Sequence, residues 1–182
     1  MKKAILFISA FYLGFSVAKA AIYTPESGDI RFTAIGKPGF LKVRGESKNK
    51  FPNGQVKHEN DLLNADFEFE LKNFDTGIEM RNEHMKDKYL EVGKFPLAKL
   101  KIKDLALKEA ELKNEFKKNF VGILQLHGVS KEVKGEFVYK PNKKTVIANF
   151  GLKVSDFAIE IPKYLGVTVS DMVDVEVNLL LK

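Results

Sequence analysis

Few side chains in this sequence are equipped for chemistry. His58, His84 and His127 are its only imidazoles, and there is no cysteine to join them. No two histidines stand at an H-x-x-x-H interval, so spacing alone offers no zinc set, and a metal site would need assembly by the fold. His127 and Ser130 lie close together in Leu126-His127-Gly128-Val129-Ser130. A serine hydrolase also needs an orienting acid and a nucleophile elbow, and no G-x-S-x-G is present. His84 reads as a polar group on a helix shoulder, and His127 as a turn residue bonded to backbone. No P-loop or dinucleotide fingerprint occurs. The reading is therefore no enzyme, with no catalytic residue and no metal ligand assigned.

Arg81 is the charge that stands out, because its neighbours at helical spacing are apolar. Ile78, Arg81, Met85, Tyr89 and Val92 form one stripe, which predicts a helix over 78–91. Thr76 would cap its start with Glu79 completing a capping box, and Gly93 and Pro96 would end it. A buried guanidinium without acceptors is costly. Arg81 must then pair internally, with Asp75, Glu79, Asp156 or carbonyl groups, or donate to the polar head of a ligand.

The elements that would position these residues read as strands. Phe67, Phe69 and Leu71 alternate with Asp66, Glu68, Glu70 and Lys72, so one face is apolar and the other charged. Val173 to Leu181, Ala148 to Val154, and Val133 to Phe137 repeat the pattern. Weaker strands fall at 30–35, 41–46, 97–104 and 120–126. Turns are predicted at Gly36-Lys37-Pro38-Gly39, Pro52-Asn53-Gly54 and Pro141-Asn142-Lys143. Residues 103–118 have helix-forming composition but sit where a hairpin belongs, and are read as strand ends with a mobile connection. Such a series of one-faced strands implies a mainly β fold, an antiparallel sandwich or barrel. Phe67, Phe69, Leu71, Phe137 and Phe150 all fall on inward faces. They either fill a core or line a space for an apolar ligand.

The first twenty residues read as a secretory leader: Lys2-Lys3, an apolar run from Ala4 to Val17, then Ala18-Lys19-Ala20. The apolar run is short of the roughly 20 residues needed to span a bilayer. The domain division is thus 1–20, signal peptide, and 21–182, one domain. Three lysines and no acidic residue leave with the leader, so the net charge falls from +6 to +3. That balance argues against a nucleic-acid partner. Lacking cysteine, the exported chain has no disulfide and must be held by packing.

Three blocks together resemble the YceI-like proteins. They are Thr76-Gly77 with Arg81 and His84, running on through Tyr89-Leu90-Glu91-Val92 to Phe95-Pro96; Gly122 to Lys131; and Leu152-Lys153-Val154-Ser155-Asp156-Phe157. They follow the family's order and span most of residues 28–181. The first strand, Ile30 to Pro38, replaces the family's commoner histidine-bearing segment. The resemblance implies a lipocalin-like extended antiparallel β-barrel of about eight strands with one short helix. It also implies export to the periplasm and an apolar tunnel for an isoprenoid, quinone or fatty acyl chain. The ligand-binding residues expected on this basis are Phe67, Phe69, Leu71, Arg81, Met85, Phe137, Phe150 and Tyr164, the last with Arg81 at the mouth. No resident cofactor is implied. The partners are a long-chain lipid and, transiently, a membrane or membrane redox protein, with a link to envelope stress. The competing readings are a filled structural barrel without ligand and a lipid- or amide-processing enzyme.

Overall fold

The alternating segments do form strands. The computed structural model describes residues 20–37, 42–47, 51–164 and 167–182. Residues 1–19 of the expected leader and the Pro38-Gly39 half of the first expected turn lie outside them, as do the side chains of Lys37, Tyr164 and Val167. The strands are β1 (Ala21–Tyr23), β2 (Pro25–Lys37), β3 (Lys42–Glu46), β4 (Asn53–Glu59), β5 (Leu62–Glu70) and β6 (Leu97–Ala106). They continue as β7 (Phe116–Leu126), β8 (Val129–Lys140), β9 (Thr145–Lys153), β10 (Lys163–Tyr164) and β11 (Val167–Leu181).

Ten of them form one antiparallel sheet in the order β1-β4-β5-β6-β7-β8-β9-β11-β2-β3, with β10 paired to β11. The N-terminal segment bends the sheet back on itself. Its β1 pairs with β4, and after Thr24 its β2 pairs with β11. A backbone bridge between Glu46 and Asp75 ties β3 to the segment after β5, with both N–H···O bonds at 2.9 Å. The result is a curled, lipocalin-like sheet with one short helix.

The strand count exceeds the expected eight because β1, β4 and β10 carry little apolar signal. In β4 only Val56 and His58 turn inward. Pro52-Asn53-Gly54 is no turn: Gly54 opens β4 with φ +146°. A Cβ there would lie 2.1 Å from the Asp66 carbonyl oxygen, so the glycine allows close approach to β5. Leu71 also departs from expectation. It begins a 3₁₀ turn after β5 rather than ending the strand, yet it remains buried. The segment 103–118 holds a defined 3₁₀ turn, Glu109–Lys113, between β6 and β7. Glu111 accepts from the Lys108 N–H at 2.8 Å, and that bond followed by Lys118 holds its carboxyl below the usual range.

The helix is α1 (Glu79–Glu83), which widens into a π-helical turn over His84–Tyr89. The cap is not the expected one. Ile78 takes the cap position with no side-chain bond, and Thr76 points elsewhere. Asn82 reaches back instead: its Oδ1 accepts from the Thr76 N–H (2.8 Å) and hydroxyl (2.7 Å), while its amide donates to Asp75 (2.8 Å). Both Thr76 and Asn82 are buried, so these bonds satisfy groups that water cannot reach.

Candidate functional site

The inward faces of the strands enclose two adjoining spaces. The first, about 220 Å³, lies between β4–β9 and β11. That exceeds the roughly 150 Å³ of a dry apolar cavity able to hold benzene. None of its described lining residues is an aspartate, glutamate, lysine or arginine. His58, buried at its edge, donates from Nε2 to the Leu107 carbonyl at 2.7 Å. Burial, and then the neighbouring Tyr23, push the Tyr139 phenol up, so that hydroxyl keeps its proton at ordinary pH.

Aromatic rings set much of this wall. Phe69 meets Phe74 at 4.9 Å between centroids, Phe116 meets Phe137 at 5.7 Å, and Phe120 meets Phe150 at 6.3 Å. All six of these residues line the space. Strands β6 and β7 pair only over Lys99–Lys101 and Ile123–Gln125. The 3₁₀ turn between them contributes Leu112 to the lining.

The second space, about 560 Å³, lies under the helix. It falls within the roughly 300–1,000 Å³ of small-molecule sites. Leu71, Phe74, Leu126, Leu152 and Val175 line both spaces, so the two meet at an apolar collar of shared side chains. On the helix side the wall is formed by Ile78, Met80, Arg81, His84, Met85, Tyr89 and Leu90; Ile78, Arg81, Met85 and Tyr89 belong to the helical stripe read from the sequence, whose fifth member, Val92, does not line the space. The bulged part of β11, where the register with β2 shifts between Val169 and Val173, supplies Val169, Ser170 and Val173. Asp171 holds this bulge to the turn Val154–Phe157 by accepting from the Ser155 N–H (2.9 Å) and hydroxyl (2.7 Å). Those two bonds, in that order, keep its carboxyl below the usual carboxylate range.

Among the described residues Arg81 has no carboxylate partner. Its Nη2 donates to the Thr76 carbonyl, one of the acceptors anticipated, but its Nε is buried without a hydrogen-bond partner. Asp75, an expected partner, instead accepts from the Gly77 N–H and the Asn82 amide. No ion pair forms with Glu79 or Asp156 among the described residues.

Seven of the eight residues expected at the site line one space or the other. Phe67, Phe69, Leu71, Phe137 and Phe150 border the first, Leu71 also the second, and Arg81 and Met85 the second. Tyr164 belongs to β10, but its side chain lies outside the described residues. Sequence reasoning missed Phe32, Phe74, Phe116 and Phe120. Phe120 carried a usable signal, since Phe120, Leu124 and Leu126 are buried at period two with Gly122 between them. Phe74 carried none, because it follows the 3₁₀ turn and belongs to no periodic run.

His127 bonds backbone as expected, and something more. Its Nδ1 faces the Phe157 carbonyl at 3.2 Å, its Nε2 faces Glu91 at 2.7 Å, and its ring packs edge-on against Phe95 at 4.5 Å. Both nitrogens are engaged, which leaves none to act on Ser130. Among the described residues no three His, Asp or Glu side chains are placed to hold a metal ion.

The family model described as YceI-like domain matches residues 23–181. Among solved structures, a polyisoprenoid binding domain from Saccharophagus degradans implicated in plant cell wall breakdown superposes with a TM-score of 0.64 at 14% identity, covering 88% of this chain and 97% of that one. BcnA of Burkholderia cenocepacia gives 0.63 at 21% identity, covering 84% and 96%. At these identities the likeness is one of fold. No curated protein matches the sequence.

Proposed function

The chain belongs to the YceI-like family, and from that premise we propose that it binds one long-chain isoprenoid or similar amphiphile inside its curled sheet, making and breaking no bond. One observation carries the reading: a space under the sheet walled almost wholly by apolar side chains adjoins a larger one beneath the helix, and five apolar residues line both. A hydrocarbon tail suits such walls. Taking roughly 300 Å² of tail out of water is worth about 7 kcal/mol. Ordering the chain and the ligand offsets part of that. A neighbour of the same fold is described as a polyisoprenoid binding domain, which supports an isoprenoid among the candidates.

Phe67, Phe69, Leu71, Phe137 and Phe150 would touch the tail, and Arg81 and Met85 the region nearer the head. Tyr164 belongs to this proposed set at the mouth. The binding takes place in the periplasm after removal of residues 1–20. Loading and delivery bring the protein into transient contact with a membrane or a membrane redox protein, and its setting is envelope stress. The test is direct. The protein is purified from the periplasm and extracted with organic solvent, and the extract is analysed by mass spectrometry. The stripped protein is then titrated with a polyprenyl alcohol, a quinone and a fatty acid. A stoichiometric long-chain lipid is expected. No lipid in the extract, together with no binding in any class, would leave a barrel that is structural and filled by its own side chains.

A further inference from the structure

Each space has one imidazole in its lining, His58 in the first and His84 in the second. They differ in that the second also contains the guanidinium of Arg81, while neither has an aspartate or glutamate among its described lining residues. The Thr76 carbonyl that Arg81 bonds is neutral, so it takes up a donor without balancing the charge. Nε keeps its proton in a place where water does not reach and no protein acceptor is offered. Buried donors are ordinarily satisfied, and buried charges are ordinarily paired. The nearby carboxylate of Asp75 is held by Gly77 and Asn82, which fixes it to the loop before the helix. The site therefore lacks one anionic acceptor.

We propose that the ligand supplies it: an amphiphile whose head is an anionic oxygen group, a carboxylate or a phosphate monoester, binds at Arg81 with its tail directed through the collar into the first space. This rests on the lipid-binding reading above and adds the polarity of binding and the charge of the head. The geometry allows one strong contact. The Arg81 Nη2 is fixed by Thr76, which orients the guanidinium at the wall of the second space, where its positive charge has no counter-ion. A neutral alcohol or quinone head could accept a hydrogen bond from the guanidinium but would leave the charge unbalanced. Binding by tail alone would not distinguish these heads.

The experiment measures affinity by calorimetry at pH 7.5 for matched pairs: farnesyl monophosphate against farnesol, and palmitoleic acid against palmitoleyl alcohol. Wild type, Arg81→Gln and Arg81→Lys are compared. In wild type each anion is expected to bind at least tenfold more tightly than its alcohol. Arg81→Gln should bring that ratio close to one, the anions losing more affinity than the alcohols. A preference in one pair alone identifies whether phosphate or carboxylate is the head. If Arg81→Gln does not fold, the wild-type ratio and its reduction in Arg81→Lys decide the matter. Equal binding of anion and alcohol by wild type overturns the proposal and leaves lipid binding intact. The same holds for equal loss of both in Arg81→Gln. Failure of all four ligands to bind removes the lipid-binding reading itself.

Discussion

Replacing two buried phenylalanines by alanine should give clearly unequal costs, and the difference measures whether the interior is hollow. Phe157 is about 1% exposed and lies in a cluster with Leu71, Leu124, Leu126, Val133, Leu152 and Ile159. It borders neither space. Phe157→Ala therefore loses the transfer energy of the ring and also opens a new void, for a cost of about 4 kcal/mol. Phe69 is nearly as buried, at 5%. One of its sides meets Phe74, but another borders the 220 Å³ space, where it has no neighbours to lose. Its truncation adds to a space that already exists, so the cost is mostly the transfer part, about 2 kcal/mol. At roughly 2–4 °C per kcal/mol for a chain of this size, Phe157→Ala should melt about 4–8 °C below Phe69→Ala. Urea unfolding of the lipid-free proteins measures the free energies directly. Phe69→Ala should also shift ligand preference toward longer tails. Equal costs for the two variants would refute the reasoning, because they would mean that the ring of Phe69 is packed on all sides.

Asn82→Ala should destabilise by about 1–3 kcal/mol in equilibrium unfolding, because the buried Thr76 N–H and hydroxyl both lose their acceptor. Thr76→Val, which keeps the N–H bonded, should cost less, and the reverse order would reinstate a simple helix cap. Asp171→Asn should lower the melting temperature at pH 7. Because the folded carboxyl is held below its unfolded value of about 3.8, the wild-type advantage is complete above that value and is lost as pH falls through the folded pKa. A gap that stays constant down to pH 2 would rule out the Ser155–Asp171 bonds as its source. Gly54→Ala should cost more than about 1 kcal/mol by thermal unfolding, since its φ of +146° and the Asp66 carbonyl at 2.1 Å both oppose a side chain. An unchanged midpoint would show that β4 can draw back from β5.

The strands legible in the sequence are those with one apolar and one charged face. β5, β8, β9 and β11 announced themselves because burial on one side and water on the other impose period two. β4 hid, because this short strand between β1 and β5 turns only two side chains inward and uses a glycine for close approach, and Asn-Gly next to proline looks the same in a turn. The helical stripe was legible for the same reason as the strands, and it correctly brought Arg81 and Met85 to one wall. The cap was not. Thr76 and Glu79 have the right spacing, but Asn82 competes for the Thr76 backbone, and that competition depends on where Asp75 is held by Glu46. The existence of the cavity was beyond reach, since a phenylalanine pointing inward looks alike in a filled core and a hollow one.

The path of the N-terminal segment bears on the order of events in folding. Thr33 pairs with Asp174, and Ile30 with Val177, so the strand that bends the sheet back must wait for nearly the last residues of the chain. Hairpins β4–β5 and β7–β8 join neighbours and can form at once, whereas the β2–β11 ladder carries the loop-closure cost of almost the whole chain. Sealing is thus expected late in folding. Until it occurred, the phenylalanine walls would face the solvent and whatever amphiphile is dissolved there. If the proposed ligand binds, a molecule present during refolding would be enclosed as the seam zips, and one added afterwards would enter only as fast as the seam or mouth opens. Occupancy would then record the surroundings in which the chain folded, with exchange as slow as local unfolding.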